Sequence, residues 1–157
     1  MLVELGVPKK RRCYIAGPMT GIPEFNFPMF HRLAGYMRQH GWEVFDPAER
    51  DEKMYDIKAP GYAEGDVKLW AESAGFDFRL AMRWDLGVIT TCEAMVLLPG
   101  WEKSSGVANE KFVAETCGVE ILYAYPVKKQ YGRRKKLWLV DWFVSTEYMP
   151  EQTPVEV

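Results

Sequence analysis

At 157 residues, 48% hydrophobic and 27% charged, the chain has the size and composition of one globular domain around a single core, which excludes a disordered or fibrous protein. Its formal net charge of −2 gives no global electrostatic case for nucleic acid as a partner. No apolar run approaches the roughly 20 residues that span a bilayer, so no membrane partner is expected.

Strand, turn and helix alternate along the chain. CYIAG (13–17) has the pattern of a short strand and ends at a Gly-Pro turn. PMTGIPEFNF continues as a loop, and Asn26 is placed to cap a helix whose apolar face carries Phe30, Leu33 and Met37. That helix ends near His40-Gly41, and WEVF (42–45) is a second strand, stopped by Asp46-Pro47. The stretch 47–75 is interrupted by Pro60, Gly61, Gly65 and Gly75; one helical piece is expected around Val67–Trp70, and the length suits a functional lid. A firmer helix covers about 76–91, AMVLL (94–98) is a buried strand, and SSGVANE opens a helix that runs to Cys117-Gly118. VEILYAY (119–125) is the next strand, LWLVDWF (137–143) a further strand or a partner-facing segment, and the last dozen residues a frayed tail.

This alternation predicts an α/β fold: a single domain over 1–157 built on a doubly wound, mostly parallel sheet of Rossmann or flavodoxin type, with helices on both faces. The core is expected at about 13–125, with a C-terminal extension at 126–157. Cys13, Cys92 and Cys117 stand in apolar contexts at no metal-ligand spacing, so they read as small core residues in a reducing compartment. The N-terminus places its charges after its apolar stretch, a poor signal peptide, and the expected location is the cytoplasm. The basic runs at 9–12 and between 128 and 136 read as solvated flanks of strands.

Two acids break this pattern. On the helix at 76–91, Phe78, Met82, Asp85 and Ile89 share a face that is apolar except at Asp85. On the next helix, Val107, Glu110, Ala114 and Cys117 share a face that is apolar except at Glu110. A carboxylate facing a core is costly unless it is hydrogen-bonded or paired. Each acid alone has an ordinary explanation: Glu110 near its helix start suits the helix dipole or a capping box, and Asp85 could face a loop. Together they point to a pocket, because both flank the strand 94–98, and open α/β sheets bind ligands outside the carboxyl ends of their strands.

The first strand supplies more of that pocket. YIAGPMTG places Gly17, Pro18, Met19, Thr20 and Gly21 directly after a strand, an anion-friendly turn that is neither a dinucleotide fingerprint nor a P-loop. Ser104, Ser105 and Gly106 add hydroxyls and amides at a helix N-terminus. No cofactor and no metal ligand set is expected. Trp70 and Trp101 could each stack on a flat ring but read first as residues covering the core from loops, and His31 and His40 have no partner at useful spacing.

YIAGPMTG, then Asp85 with LGVITTCEAMVLL, then SSGVANEKFVA, resemble the nucleoside 2-deoxyribosyltransferase-like superfamily over roughly residues 13–125. That superfamily includes deoxyribosyltransferases and 2′-deoxynucleoside 5′-monophosphate N-hydrolases. The nearest likeness is to a small phage and bacterial branch with YIAGPMTG, NFPMF and LLPGWE before the glutamate. The resemblance implies that Glu110 is a nucleophile at the anomeric carbon, Asp85 an acid near the departing base, and Tyr14 a partner that holds the nucleophile. It implies that Gly17 to Gly21 lie along the sugar or its phosphate, and that Ser104 faces the 5′ end. It further implies a small-molecule nucleotide or nucleoside as ligand and a homodimer or larger homo-oligomer. Lys111 and Phe112 depart from the small or apolar residues that follow the glutamate in the family.

Cleavage of a nucleoside N-glycosidic bond needs a carboxylate at the anomeric carbon and an acid at the base, which these two positions would supply. The activity expected is hydrolysis of a 2′-deoxynucleoside 5′-monophosphate or transfer of its sugar between bases. A non-catalytic nucleotide-binding domain and an NAD-type glycohydrolase are the alternatives.

Overall fold

The structure, a computed structural model, describes residues 9–130 and 138–150. Its elements in chain order are β1 (Arg12–Ala16), α1 (Phe27–Gln39), β2 (Glu43–Phe45), α2 (Pro47–Met54), α3 (Val67–Ala74), α4 (Phe78–Ile89), β3 (Ala94–Leu97), α5 (Ser105–Thr116), β4 (Glu120–Gln130) and β5 (Trp138–Ser145). They form one five-stranded sheet in the order β2-β1-β3-β4-β5. The first four strands are parallel, and β5 runs antiparallel along β4 from Tyr123↔Ser145 to Gln130↔Trp138. This is the expected α/β architecture, and its strand order is the flavodoxin-like one.

Alternation along each strand distributes side chains between two cores. Cys13 and Ile15 of β1, Val96 of β3 and Leu122 of β4 pack with Phe30, Leu33 and Met37 of α1. Tyr14, Ala16, Met95 and Leu97 face the other way, onto Ile89 of α4 and Val107 and Ala114 of α5. Both faces of the parallel sheet are therefore covered, as the near-continuous apolar runs of β1 and β3 require. Among the described residues no helix is long and apolar enough to cross a membrane.

Several local expectations are corrected. Asp46-Pro47 does not merely stop β2: the Asp46 carboxylate accepts from the Ala48 amide at 2.8 Å and caps α2, with Pro47 in its first turn. The stretch expected as a lid is a packed wall that contains α2 and α3. Trp70 of α3 is fully buried and donates its indole N–H to the Asp56 carbonyl at 3.0 Å. Gly65, at φ 71°, lies so close to the loop after β1 that an added Cβ would sit 2.1 Å from the Ile22 carbonyl oxygen. Backbone bonds Gly21 N to Gly65 O (2.9 Å) and Glu24 N to Ala63 O (3.1 Å) complete the seam.

Asn26 occupies the residue before α1 but caps nothing; it lies at φ 62° and sends its side-chain amide to the Pro18 carbonyl at 3.1 Å. Cys13 and Cys92 are buried, whereas Cys117 ends α5 on the surface and is not a core residue. Phe78 is exposed rather than seated in the core stripe of α4, because it begins the first turn.

The chain beyond 125 belongs to the sheet, since β4 continues through it and Trp142 of β5 is buried in the α1-side core. Residues just after β5 are docked rather than frayed: the Met149 amide donates to the Tyr125 hydroxyl at 2.6 Å, and Tyr148 packs on Trp101 and Tyr123. The final residues of the expected tail, 151–157, and most of the second basic run lie outside the described residues. The first basic run behaves as a strand flank, with Arg11 paired to Glu120 and Arg12 to Glu43.

Candidate active site

β1 leads to β2 on one side of the sheet and β3 leads to β4 on the other, so the chain departs in opposite directions from two neighbouring strands. The carboxyl ends of such a pair open a crevice. Here the crevice is a cavity of about 730 Å³, within the range of small-molecule sites. The two strand exits approach closely at Gly17, where an added Cβ would lie 2.7 Å from the Leu98 Cβ.

Of the residues predicted from sequence, Tyr14, Asp85, Glu110, Gly17, Pro18, Met19, Thr20, Ser104, Ser105 and Gly106 all line this cavity. Gly21 does not: it turns away at φ 81° to bond Gly65. Lys111 and Phe112 are not part of the lining either. Lys111 pairs with Glu115 one turn on, and Phe112 is exposed, so the departures from the resemblance lie outside the cavity.

Ser104 is the N-cap of α5, its Oγ accepting from the Val107 amide at 3.3 Å. Glu110 therefore lies six residues past the cap, in the second turn, and neither a capping box nor the first-turn dipole accounts for it. Its side chain turns inward at 7% exposure, where the Tyr14 hydroxyl donates to Oε1 at 3.1 Å. Asp85 of α4 is 8% exposed, and its Oδ1 is buried without a hydrogen-bond partner. Buried polar atoms are nearly always paired, so an orphan oxygen on a residue that lines the cavity singles Asp85 out as a functional candidate.

Burial sets the protonation of this group. It pushes Glu110 up to about 8, with the Asp85 charge adding and the Tyr14 hydrogen bond opposing. It pushes Asp85 up to about 7, with Asp51 adding and Tyr14 opposing. Tyr14, buried beside both charges, is held well above the usual phenol range and stays a neutral donor. Carboxyls that share a site lose their protons in succession, so between these two values the pair carries a single proton. One carboxylate and one carboxylic acid then line the same cavity, with the Tyr14 hydroxyl donating to Glu110.

Sequence reasoning missed several members of the site. Asp51 of α2 lines the cavity at 4% exposure, and Lys103 stands at its edge beside Ser104. Trp70 proves to be both core and cavity wall, with Phe76 stacked on it at 4.9 Å and Phe25 at the same centroid distance. Phe25 is presented by three successive left-handed residues, Glu24, Phe25 and Asn26. Each such residue costs on the order of 1 kcal/mol, and the strain lies on the cavity wall.

His31, given no partner by its sequence context, sits between two carboxylates: Nδ1 lies 3.0 Å from Asp46 and Nε2 lies 2.8 Å from Glu52. Ligand atoms of His31, Asp46 and Glu49 fall within 4.8 Å of one another, a spacing that could hold a metal. Each is already engaged, however, since Asp46 caps α2 and Glu49 binds Arg38 through both oxygens. The cluster ties α1 to α2.

Residues 11–123 match the family model described as a domain of unknown function, DUF4406. The chain belongs to this family. The DUF4406 match runs from β1 into β4 and so includes every residue that lines the cavity, while β5 lies beyond it. No curated protein matches the chain.

Proposed function

We propose that this DUF4406 protein cleaves the N-glycosidic bond of a 2′-deoxynucleoside 5′-monophosphate, with Glu110 as nucleophile and Asp85 as the acid at the base. The observation that carries the reading is that two buried carboxyls line one cavity, Glu110 held by the Tyr14 hydroxyl and Asp85 with an orphan oxygen. The likeness to the deoxyribosyltransferase-like superfamily supports the same assignment.

Of the two forms with one shared proton, the more populated holds it on Glu110, whose pKa is the higher. The reactive one is the minor form, in which Glu110 carries the charge and Asp85 the proton. The Glu110 carboxylate attacks C1′, the C1′–N bond breaks, and its electron pair goes to the base nitrogen, which Asp85 protonates. Positive charge building on the sugar favours the ionised state of Glu110, and Tyr14 keeps one of its oxygens oriented. In the second half, water adds to C1′ of the glycosyl ester as Asp85 takes its proton. Glu110 leaves as carboxylate, and 2-deoxyribose 5-phosphate is released.

The 5′ end is read from Ser104, Ser105 and Gly106 at the start of α5, with Lys103 beside them. Hydroxyls, helix N-terminal amides and an ammonium favour a phosphate over a bare hydroxyl. Hydrolysis is preferred to base exchange. Three free cysteines fit the reducing cytoplasm in which such nucleotides occur. The exposed Phe112 and Phe143 fit the homo-oligomer that the resemblance implies.

Chromatography of a panel of 2′-deoxynucleosides and their 5′-monophosphates, with and without a second free base, tests the proposal. Free base should appear from the monophosphates and be lost in a folded Glu110→Ala protein. No release from any member of the panel would reject it.

A further inference from the structure

Asp51 is the one buried carboxyl of the cavity that the proposed reaction leaves without a task. It stands on the inward face of α2, where Pro47 and Ala48 are its buried companions. Its Oδ1 accepts from Arg50 Nη1 at 2.8 Å, and the Arg50 guanidinium lies 5.5 Å over the ring of Trp84, the residue before Asp85. Neighbouring residues of a helix point roughly 100° apart, so this pair closes only because Arg50 folds back against α4. One Asp51 oxygen is thereby tied down, and the other makes no hydrogen bond with the described residues. Burial raises Asp51 to about 6 while Arg50 opposes the rise, which leaves it largely ionised at neutral pH.

We propose that Asp51 selects the leaving heterocycle by accepting a hydrogen bond from an exocyclic amino group, while Asp85 beside it faces a ring nitrogen. The proposal rests on the glycosidic reading of this cavity. Two observations carry it. Asp85, whose Oδ1 is buried without a hydrogen-bond partner, lines the same cavity close enough to feel the Asp51 charge, so a ligand edge that meets one carboxyl can meet the other. The same lining holds Phe25, Phe27, Trp70 and Phe76, which suits a planar ring whose edge meets the two carboxyls. An ionised carboxylate only accepts, so an amino group satisfies it, and an oxo group at the same position sets oxygen against oxygen. A site that binds a polar group through a buried partner discriminates strongly against the analogue lacking it.

The test compares the 5′-monophosphates of 2′-deoxyadenosine and 2′-deoxyinosine, and of 2′-deoxycytidine and 2′-deoxyuridine, by titration calorimetry and by initial rates. Wild-type protein should bind the amino member of at least one pair about tenfold or more tighter than its oxo analogue. Asp51→Asn, which offers a donor, should bring that ratio to within about threefold of one or invert it. The ratio is taken on one preparation, so partial misfolding does not alter it; should the Asn variant fail to fold, Asp51→Ser serves with the same expectation of a lost preference. A wild-type ratio within twofold in both pairs, no binding of any of the four, or a preference unchanged in the variants would each overturn the proposal. An amino preference in binding without base release leaves Asp51 assigned and removes the catalytic reading. Base release without the preference does the reverse.

Discussion

Glu110→Gln should inactivate the protein and, above neutral pH, stabilise it. The buried carboxyl has its pKa raised from 4.5 to about 8, so between these values the folded state binds more protons than the unfolded one. Stability then falls as pH rises, by about 1.4 kcal/mol per pH unit over that interval, because ionising Glu110 in the fold is harder than ionising it in water. From the ordinary value of 4.5 up to pH 7 this amounts to roughly 3 kcal/mol, an upper figure that water entering the cavity reduces. Glutamine retains an oxygen for the Tyr14 hydroxyl and has nothing to ionise. At pH 5 the variant should lie within about 1 kcal/mol of wild type, and at pH 8 it should be more stable by roughly 2–3 kcal/mol. Denaturant unfolding at pH 5, 6, 7 and 8 reads the difference directly; Asp85 titrates in both proteins, and loss of the Glu110 charge near it adds to the variant's gain at high pH. A variant less stable than wild type at pH 8, or a difference independent of pH, would refute the burial argument for Glu110.

Three further outcomes follow from the same geometry. The pH profile of kcat/KM should be bell-shaped, with limbs near about 7 and about 8, because the active pair carries one proton; a profile flat from pH 6 to 9 would contradict this. Ser104→Asp keeps a good N-cap for the Val107 amide but places a charge at the 5′ end, so monophosphate kcat/KM should fall at least about tenfold, while use of the free nucleoside is spared. An unchanged monophosphate rate would take Ser104 out of the phosphate site. Gly65→Ala must move the Ile22 backbone from a Cβ otherwise 2.1 Å from its carbonyl oxygen, which should lower stability by roughly 2 kcal/mol or more. A thermal midpoint within about 2 °C of wild type would show that this seam yields easily.

The strands and the two acids were legible because their signals are local. A period of two sends Cys13 and Ile15 to one core and Tyr14 and Ala16 to the other, and an acid in an apolar stripe stands out as Asp85 and Glu110 do. The helix α2 was not legible: PAERDEKM carries too few apolar residues to define a stripe, so Asp51 had no background against which to be an exception. Asp46-Pro47 suits a strand end and a helix start equally well, and only the Ala48 hydrogen bond decides between them. His31 meets its partners 15 and 21 residues away on another element, beyond any helical or strand spacing. The left-handed run at Glu24, Phe25 and Asn26 goes against the ordinary preferences of those residues and is imposed by burial of Phe25 and by the Asn26–Pro18 bond.

The central claim is that Glu110 forms a covalent bond to the sugar, and the stereochemistry at C1′ tests it most directly. With methanol added as acceptor, the methyl glycoside of 2-deoxyribose 5-phosphate cannot mutarotate, and its anomeric configuration is read by NMR. Two successive displacements, at Glu110 and then by methanol, predict the β-anomer, the configuration of the starting nucleotide. Formation of the α-anomer would mean a single direct displacement and would contradict the account.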